Sequence, residues 1–444
     1  MPNAAKVPTI LSAMLKLLHV IPRLSNAGPT RTLLVVVQAL AEMGLPIRHR
    51  LLVLDGAVHP FVSLRVRKAG ITLLKQLEPT AIRAEIESAD IVQVHFWNHP
   101  KLYEFLRTDW PAMRLLIWFK IFGAHAPQVI TTDLVNCADA CLVSSAGSLD
   151  LPCFQSQHAQ DHHPDLKNSH RKRKVNLALS PANLQRLGEI EPQPHDCFNV
   201  GYIGTANFTK VHPSYVEMSA AIDIDPVRFI ICGGNDQDLV AAVQDLGVCD
   251  RFDFRGYVEH IEQVLAILDV FGYPLCADTY ATSEQALQEA MYAAVPPVVF
   301  PHSGVATLVQ DQVTGRVVHS EAEYTQAIEE LFHNPSLRKS LGKQARAYAQ
   351  EHFRPLKTAQ IMEQTYDELM SQTKQGYKGL TQPVQTPAEG FVAALGQKGD
   401  TFWTSLRGQP SDWQRQDIEA AHVHIAKTKP DQSRKWASSG YTLR

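Results

Sequence analysis

The 444-residue sequence predicts an α/β protein with two domains, each built on a parallel β-sheet with helices on both faces. Apolar runs with the composition of buried strands alternate with helical patterns, which is typical of such sheets. The alternation is interrupted by a polar segment at residues 154–174 and starts again at residue 198. The chain is also too long for one ordinary core. We predict domains at residues 1–192 and 193–372, followed by a partly ordered, mostly helical appendage at 373–444.

The individual elements follow from local pattern. The run from Lys16 to Pro22 predicts a buried strand, and helical periodicity from Thr30 to Met43 ends at Gly44. The other elements predicted in the first half are strands at 49–54, 91–96, 115–119 and 141–144 and a helix at 101–106. Those predicted in the second half are strands at 198–203, 229–234, 252–257, 270–274 and 298–300 and helices at 321–333 and 335–352. Such sheets bind ligands beyond the carboxyl ends of their strands, so two of them are expected to face a cleft.

The composition of the chain disfavours several classes of function. The net charge of −3 does not favour nucleic-acid binding, which usually needs a basic face. Seven cysteines without C-x-x-C spacing indicate reduced thiols rather than disulfides or zinc ligands. No apolar run reaches the roughly 18 residues of a membrane span, and no secretory signal is evident. We therefore expect a cytoplasmic protein.

A short basic run qualifies that expectation. It consists of Arg171, Lys172, Arg173 and Lys174, inside the polar segment. A solvated loop is one interpretation, and contact with anionic lipid at the inner face of the membrane is the other.

The segment Tyr280–Ala294 carries the strongest chemical signal. It places Glu284 and Glu289 at the start of a predicted helix that leads into an apolar strand. Unpaired N–H groups at a helix N-terminus suit a phosphate, and the small residues Thr282 and Ser283 let a ligand approach the backbone. Carboxylates accept hydrogen bonds from sugar hydroxyls. The segment therefore predicts contacts with a nucleotide sugar, the alternative being an amphipathic surface helix with solvated glutamates.

A glycine turn follows the first strand of each half. Gly28 precedes Pro29, which suits the first position of a helix, so backbone N–H groups there could meet a phosphate or a hydroxyl. In the second half, Gly204 and Thr205 form a turn, and Lys210 could place a positive charge on a diphosphate. An ordinary turn and a solvated lysine are the alternatives.

Histidines provide a third set of candidates. His95 ends a predicted strand and His125 follows Gly123, and strand-end imidazoles can bind sugar hydroxyls or a phosphate. A structural role is the alternative for each. His158 and His162 have helical spacing but lack an H-E-x-x-H pattern, so a solvated loop is favoured over a metal site. The sequence contains no P-loop and no G-x-S-x-G nucleophile elbow.

With these residues laid out, the sequence resembles the family 4 retaining glycosyltransferases of the GT-B fold over about residues 17–372. QEAMYAAVPPVVF resembles the acidic-helix motif of that family, with Glu289 at its second glutamate, and FDFRGYVEHIEQVLAILDVFGYPL resembles its nucleotide-base region. VHFWNHPKLYEFLR and FGAHAPQVI resemble a bacterial subgroup with the same histidines. Three positions depart from the pattern. The first glutamate of the motif falls at Ala281, the arginine that precedes the diphosphate lysine is Thr205, and the glycine ending the helix is Ala294.

The resemblance implies transfer of a sugar, with retention, from a UDP- or GDP-sugar to a saccharide, lipid-linked or protein acceptor, without metal or cofactor. The implied catalytic residues are Glu284, Glu289, Lys210 and His125. The implied donor-binding residues are Gly204, Thr205, Lys210, Tyr257, Val258, Thr282, Ser283, Glu284 and Glu289, and those for the acceptor are Gly28, His95 and His125. Because of these departures, a catalytically weak nucleotide-sugar-binding or scaffold protein is an alternative hypothesis. A third hypothesis is an enzyme that isomerises or hydrolyses nucleotide sugars.

Overall fold

A computed structural model describes residues 14–56, 58–97, 99–126, 128–155, 175–234, 236–377, 379–380 and 392–393. Three predictions fall wholly or largely outside these residues: the appendage at 373–444, the histidines His158 and His162, and the basic run Arg171–Lys174. The described residues form two compact units, one of residues up to Pro181 together with those from Pro355 onward, and one of Ala182–Arg354.

Each strand and helix that was predicted with residue bounds is present in the described part of the chain, with its ends shifted by at most two residues. The elements up to Pro181 are β1 Leu15–Ile21, α1 Gly28–Glu42, β2 Ile47–Val53, α2 Pro60–Lys68, β3 Thr72–Lys75, α3 Pro79–Ser88, β4 Ile91–Phe96, α4 Pro100–Arg107, β5 Leu115–Phe119, β6 Ala124–His125, β7 Gln128–Val129, α5 Thr132–Cys137, β8 Ala140–Val143 and β9 Val175–Leu177. Those that follow are β10 Phe198–Ile203, α6 Tyr215–Ala220, β11 Val227–Cys232, α7 Gln237–Asp245, β12 Phe252–Gly256, α8 Ile261–Leu265, β13 Val270–Tyr273, α9 Gln285–Tyr292, β14 Pro297–Val299, β15 Arg316–Val317, α10 Glu321–His333, α11 Pro335–His352 and α12 Pro355–Met370.

Each unit contains one parallel sheet. Within the described residues the strand order is β3-β2-β1-β4-β5-β8-β9 in the first unit and β12-β11-β10-β13-β14-β15 in the second. In each sheet the first strand of the unit lies beside the strand at which the order reverses, which is β4 in the first unit and β13 in the second. Ligands of open α/β sheets bind beyond the carboxyl ends of the strands at this reversal. A ligand-binding site is therefore expected at the turns after β1 and β10.

The chain returns to the first unit after Arg354, which differs from the predicted domain of residues 193–372. Helix α12 carries apolar residues at helical spacing, and they share one core cluster with β1 and α1. The members from α12 are Ala359, Met362, Tyr366 and Leu369. The hydroxyl of Tyr366 also donates a 2.6 Å hydrogen bond to Gln93 Oε1 on β4. An amphipathic pattern shows that a helix covers a sheet but does not show which sheet, so the return was not predictable.

The first unit encloses a row of hydrogen-bonded histidines across three neighbouring strands. His19 Nδ1 lies 3.0 Å from His95 Nε2, and His19 Nε2 lies 3.0 Å from His49 Nδ1. All three side chains are buried. Burial lowers the pKa of His49 to about 4, and burial together with neighbouring positive groups lowers the pKa of His19 and of His95 well below the usual value. The row is therefore neutral at pH 7.

Acidification is expected to destabilise the first unit before its carboxylates titrate. An unfolded histidine binds a proton near pH 6.5, whereas these folded histidines do not, so the unfolded state binds more protons and stability falls as the pH drops. His49 alone should contribute about 2 kcal/mol of loss at pH 5. Urea unfolding between pH 7.5 and 5, followed by the fluorescence of buried tryptophans such as Trp118, measures this.

The His49→Gln variant is the control for the acid effect. It removes one titrating group from the row, so its unfolding free energy should depend less steeply on pH than that of the wild type. Equal stability of the wild type at pH 7.5 and at pH 5 would contradict the proton uptake argued here.

Candidate functional site

The candidate site of the second unit lies where β10 and β13 end side by side. Gly204 follows β10 with a φ of +153°, and its N–H donates to Cys232 O at 2.9 Å. Gly233, after β11, has a φ of +148°, and a Cβ built on it would collide with the carbonyl group of Gly204. Both positions therefore need glycine, one for its conformation and the other also for the close approach of two backbones.

A buried ion pair fills this turn. Lys210 Nζ lies 2.7 Å from Glu284 Oε2, and each side chain is only 10% exposed. A Cβ at Gly204 would stand 3.4 Å from Lys210 Nζ, so the glycine turn borders the ammonium group. The alternative of a solvated lysine is wrong, because Lys210 is buried and paired.

Two further donors hold the same carboxylate. The Tyr273 hydroxyl, at the end of β13, donates to Glu284 Oε2 at 2.5 Å, and the Thr282 N–H donates to Oε1 at 3.2 Å. Burial alone would raise the pKa of Glu284, but the Lys210 ammonium and these hydrogen bonds hold it below the usual value. Burial alone would lower the pKa of Lys210, but the Glu284 carboxylate raises it. Both groups are therefore charged at pH 7.

The backbone of Glu284 is strained. The residue is the N-cap of α9, and its φ of +35° lies in the left-handed region. A non-glycine residue there costs about 1–3 kcal/mol and persists only where the surroundings hold it. Glu284 thus precedes the helix, and its side chain is paired with Lys210. Strain of this kind is common at functional sites.

Glu289 lies in the middle of α9 and is paired with a residue that the sequence analysis did not single out. Arg186 Nη2 donates to Glu289 Oε1 at 2.6 Å, and the Glu289 side chain is 5% exposed. Arg186 belongs to a short 3-10 helix, Leu184–Leu187, and has no motif around it that could have predicted the contact. The surface-helix alternative is therefore wrong for both glutamates.

The end of α9 explains one departure from the family pattern. Ala294 has a φ of +61°, which is the left-handed conformation that glycine adopts most readily after a helix. Ala294 therefore adopts a backbone conformation that glycine would adopt without strain, at a cost of about 1–2 kcal/mol.

The remaining donor candidates lie in the same unit. Thr282 and Ser283 are buried, at 8% and 1% exposure, and the Thr282 N–H contacts the Glu284 carboxylate. The Thr205 carbonyl accepts a 2.7 Å hydrogen bond from the Tyr202 hydroxyl. Tyr257 follows β12 and is 71% exposed, and Val258 beside it is half-buried.

The candidates of the first unit fall at different depths. Gly28 is the first residue of α1 and is half-buried after the turn that follows β1. His125 is half-buried in the two-residue strand β6. His95 is only 2% exposed and belongs to the histidine row, a geometry that favours its structural alternative. The role of these residues in acceptor binding stays a prediction.

Three further features of the described residues concern metal ions, thiols and membranes. No cluster of three or more histidine, cysteine, aspartate or glutamate side chains there is arranged to hold a metal ion. None of the seven cysteines, all of which lie in the described residues, forms a disulfide. In the same part of the chain, every helix is too short or too polar to cross a membrane.

Residues 189–348 match the family profile described as "Glycosyl transferases group 1". Among curated proteins, the chain is 24% identical over 198 residues to EpsD of Bacillus subtilis (strain 168), which is named as a glycosyltransferase. That alignment covers 43% of this chain and about half, 51%, of EpsD.

Solved structures share the fold at low sequence identity. The chain is 16% identical to HepE of Anabaena, solved in complex with UDP, with a TM-score of 0.60 over 80% of this chain and 100% of the other. A glycosyltransferase from Rickettsia africae ESF-5 is 15% identical, with a TM-score of 0.63 over 81% of this chain and 100% of the other. Together with the two parallel sheets, these matches confirm a GT-B fold of two Rossmann-like units. The group 1 match covers both Lys210 and α9.

Proposed function

We propose that this chain is a retaining glycosyltransferase that moves a sugar from a nucleoside-diphosphate sugar to an acceptor. One observation carries the proposal: the buried Lys210 at the glycine turn after β10, inside the region that matches the group 1 family. A compact ammonium group beside a glycine turn suits a diphosphate, because backbone and cation can approach it together.

The donor would lie along the carboxyl ends of β12, β10 and β13. Lys210 would bind the diphosphate, and Glu289, oriented by Arg186, would accept hydrogen bonds from ribose or sugar hydroxyls. The exposed ring of Tyr257 offers a face on which a base could stack. HepE is solved with UDP and with UDP-glucose, so a uridine donor is the first to test.

Catalysis in such a site would depend on orientation and charge. The leaving diphosphate would take the proton of the acceptor hydroxyl as the new glycosidic bond forms on the same face of the sugar. The protein would stabilise the negative charge of the leaving group with Lys210 and with backbone N–H groups near the start of α9. We propose that no metal ion takes part, so transfer should persist in excess chelator.

Donor titration tests the assignment of Lys210. The wild type should bind UDP and UDP-glucose in calorimetry and gain thermal stability from them, because a ligand of the folded state raises apparent stability. Lys210→Ala should lose at least about tenfold in affinity, since a charge-assisted contact to phosphate is removed. Lys101→Ala, at an exposed lysine, is the control and should bind like the wild type. Equal affinity of wild type and Lys210→Ala would contradict the assignment.

A nucleotide-sugar-binding or scaffold protein is the second candidate. The observation that favours it is the state of Lys210, whose charge is already neutralised by Glu284 while Thr205 stands at the usual arginine position. Release of UDP from UDP-glucose in the presence of acceptor extracts, lost in Glu289→Ala, would establish an enzyme. Donor binding without turnover under any acceptor would establish the scaffold.

A further inference from the structure

The Glu284 carboxylate accepts hydrogen bonds from a set of donors that would suit any oxyanion. An ammonium group, a phenolic hydroxyl and a backbone N–H converge on its two oxygens, from Lys210, Tyr273 and Thr282. The group lies at the strand reversal, just before the first turn of α9, where phosphates bind in α/β proteins. The protein thus holds one of its own carboxylates where an anionic ligand would find the same donors.

The opposite charges of Lys210 and Glu284 affect how an anionic ligand can bind here. Lys210 and Glu284 form a neutral pair, and both side chains are largely excluded from water. A diphosphate that approached the pair would meet no net positive charge and would lie beside a buried carboxylate, which repels it strongly at low local dielectric. Lys210 can offer its full charge to a diphosphate only when Glu284 has moved away.

We propose that Glu284 is a resident anion that competes with the donor diphosphate for Lys210, so that the donor binds only after the Glu284 side chain has left. This inference rests on the proposed function, because it takes Lys210 to be the diphosphate ligand. It also assigns Glu284 a role opposite in sign to the donor-binding role that the family resemblance implies.

The position of Glu284 in the backbone makes the exchange feasible. The residue precedes α9, so its own N–H donates no hydrogen bond inside the helix, while its carbonyl accepts one from the Gln288 N–H at 3.1 Å. Rotation of the Glu284 side chain leaves that bond intact. Its φ of +35° is strained, and relaxation to a common conformation would offset part of the lost ion pair. Once a phosphate oxygen replaces the carboxylate, the three donors are satisfied again.

Competition of this kind has a defined effect on affinity. When only a fraction of the molecules is competent to bind, the apparent dissociation constant is the intrinsic one divided by that fraction. Removal of the competing carboxylate should therefore tighten diphosphate binding, and couplings of this type are typically about 5- to 150-fold. A direct donor ligand would show the reverse, because its removal weakens binding.

The experiment is calorimetric titration of the full chain with inorganic pyrophosphate and with UDP. Glu284→Gly removes the carboxylate and tolerates the left-handed backbone, and Glu284→Gln keeps the size of the side chain but not its charge. Both should bind at least about fivefold more tightly than the wild type. Glu284→Asp keeps the charge and should not gain affinity. In the Glu284→Gly background, Lys210→Ala should abolish the gain.

The outcomes separate this inference from the proposed function. Weaker or unchanged binding in Glu284→Gly and Glu284→Gln, with binding still dependent on Lys210, overturns the competition and leaves the donor site intact. Binding that does not depend on Lys210 in any background overturns the diphosphate site and the competition with it. Circular dichroism melts show which variants are folded, and Glu284→Gln, which is isosteric, decides the matter where Glu284→Gly does not fold.

Discussion

Replacement of Lys210 by methionine is expected to lower the free energy of unfolding of the second unit by about 3–5 kcal/mol. The change leaves the Glu284 carboxylate buried, with the Tyr273 hydroxyl and the Thr282 N–H but without its cation. Removal of one partner of a buried ion pair costs more stability than the intact pair contributes, because the remaining charge is then both unpaired and shielded from water. Urea unfolding followed by far-UV circular dichroism measures the loss, since residues 182–354 contain no tryptophan.

The pH dependence of this loss has a definite sign. In the wild type the pKa of Glu284 is lowered, so its stabilising contribution is present above the unfolded value near 4.3 and is lost as the pH falls through the folded value. In Lys210→Met, burial without the cation should raise the pKa of Glu284. The variant should then regain stability relative to the wild type as the pH falls from 7 towards 5, because the buried carboxyl becomes neutral.

Two variants test whether the effect belongs to the buried pair. Lys101 and Glu104 form an ion pair of the same type at the same 2.7 Å, but their side chains are 38% and 58% exposed. Lys101→Met should therefore cost less than about 1 kcal/mol. The double variant Lys210→Met, Glu284→Gln should recover much of the loss of the single variant. A single-variant cost as small as that of Lys101→Met would show that the pair is effectively solvated.

The fold was predictable because its signals are local. A buried strand such as Leu115–Phe119 is a continuous apolar run and was predicted to the residue, and helices such as Pro335–His352 have clear periodicity. The resemblance of the acidic segment then singled out Glu289 as a donor-site residue, a role that stays a prediction. A run of apolar residues shows that a strand is buried whatever packs on it, which is why these predictions required no knowledge of partners.

The pairings at the site were not predictable because they depend on contacts between distant segments. Nothing near Lys210 in the sequence indicates that Glu284 neutralises it, and nothing near Arg186 indicates that it holds Glu289. The membership of α12 in the first unit escaped prediction for the same reason. The assignment of Glu284 to the donor came from the resemblance, although the first glutamate of the motif falls at Ala281, and it stays a prediction. In the structure this carboxylate is paired with Lys210, and its residue has an N-cap conformation that no local pattern specified.

Replacement of Gly233 by alanine is the second change for which we expect a large effect. The added Cβ would collide with the carbonyl oxygen of Gly204 and stand 2.8 Å from its carbonyl carbon, and both atoms belong to backbone that cannot rotate away. The φ of +148° adds strain for any residue with a Cβ. Overpacking costs about 1–3 kcal/mol and this strain about as much again, so we expect a loss of about 2–6 kcal/mol.

The same variant links stability to the site, because the strained segment is the turn that borders Lys210. Displacement of Gly204 moves the backbone on which a diphosphate would lie, and misplacement by about 1 Å can cost a hundredfold in rate. Gly234→Ala is the matched control: a Cβ on Gly234 would meet no heavy atom within 4 Å, so its stability should stay within about 0.5 kcal/mol of the wild type. Thermal melts and sugar-transfer assays of the two variants decide the point. If Gly233→Ala matched Gly234→Ala in both, the close approach of the two turns would not constrain the site, and Lys210 would have to be positioned by its ion pair alone.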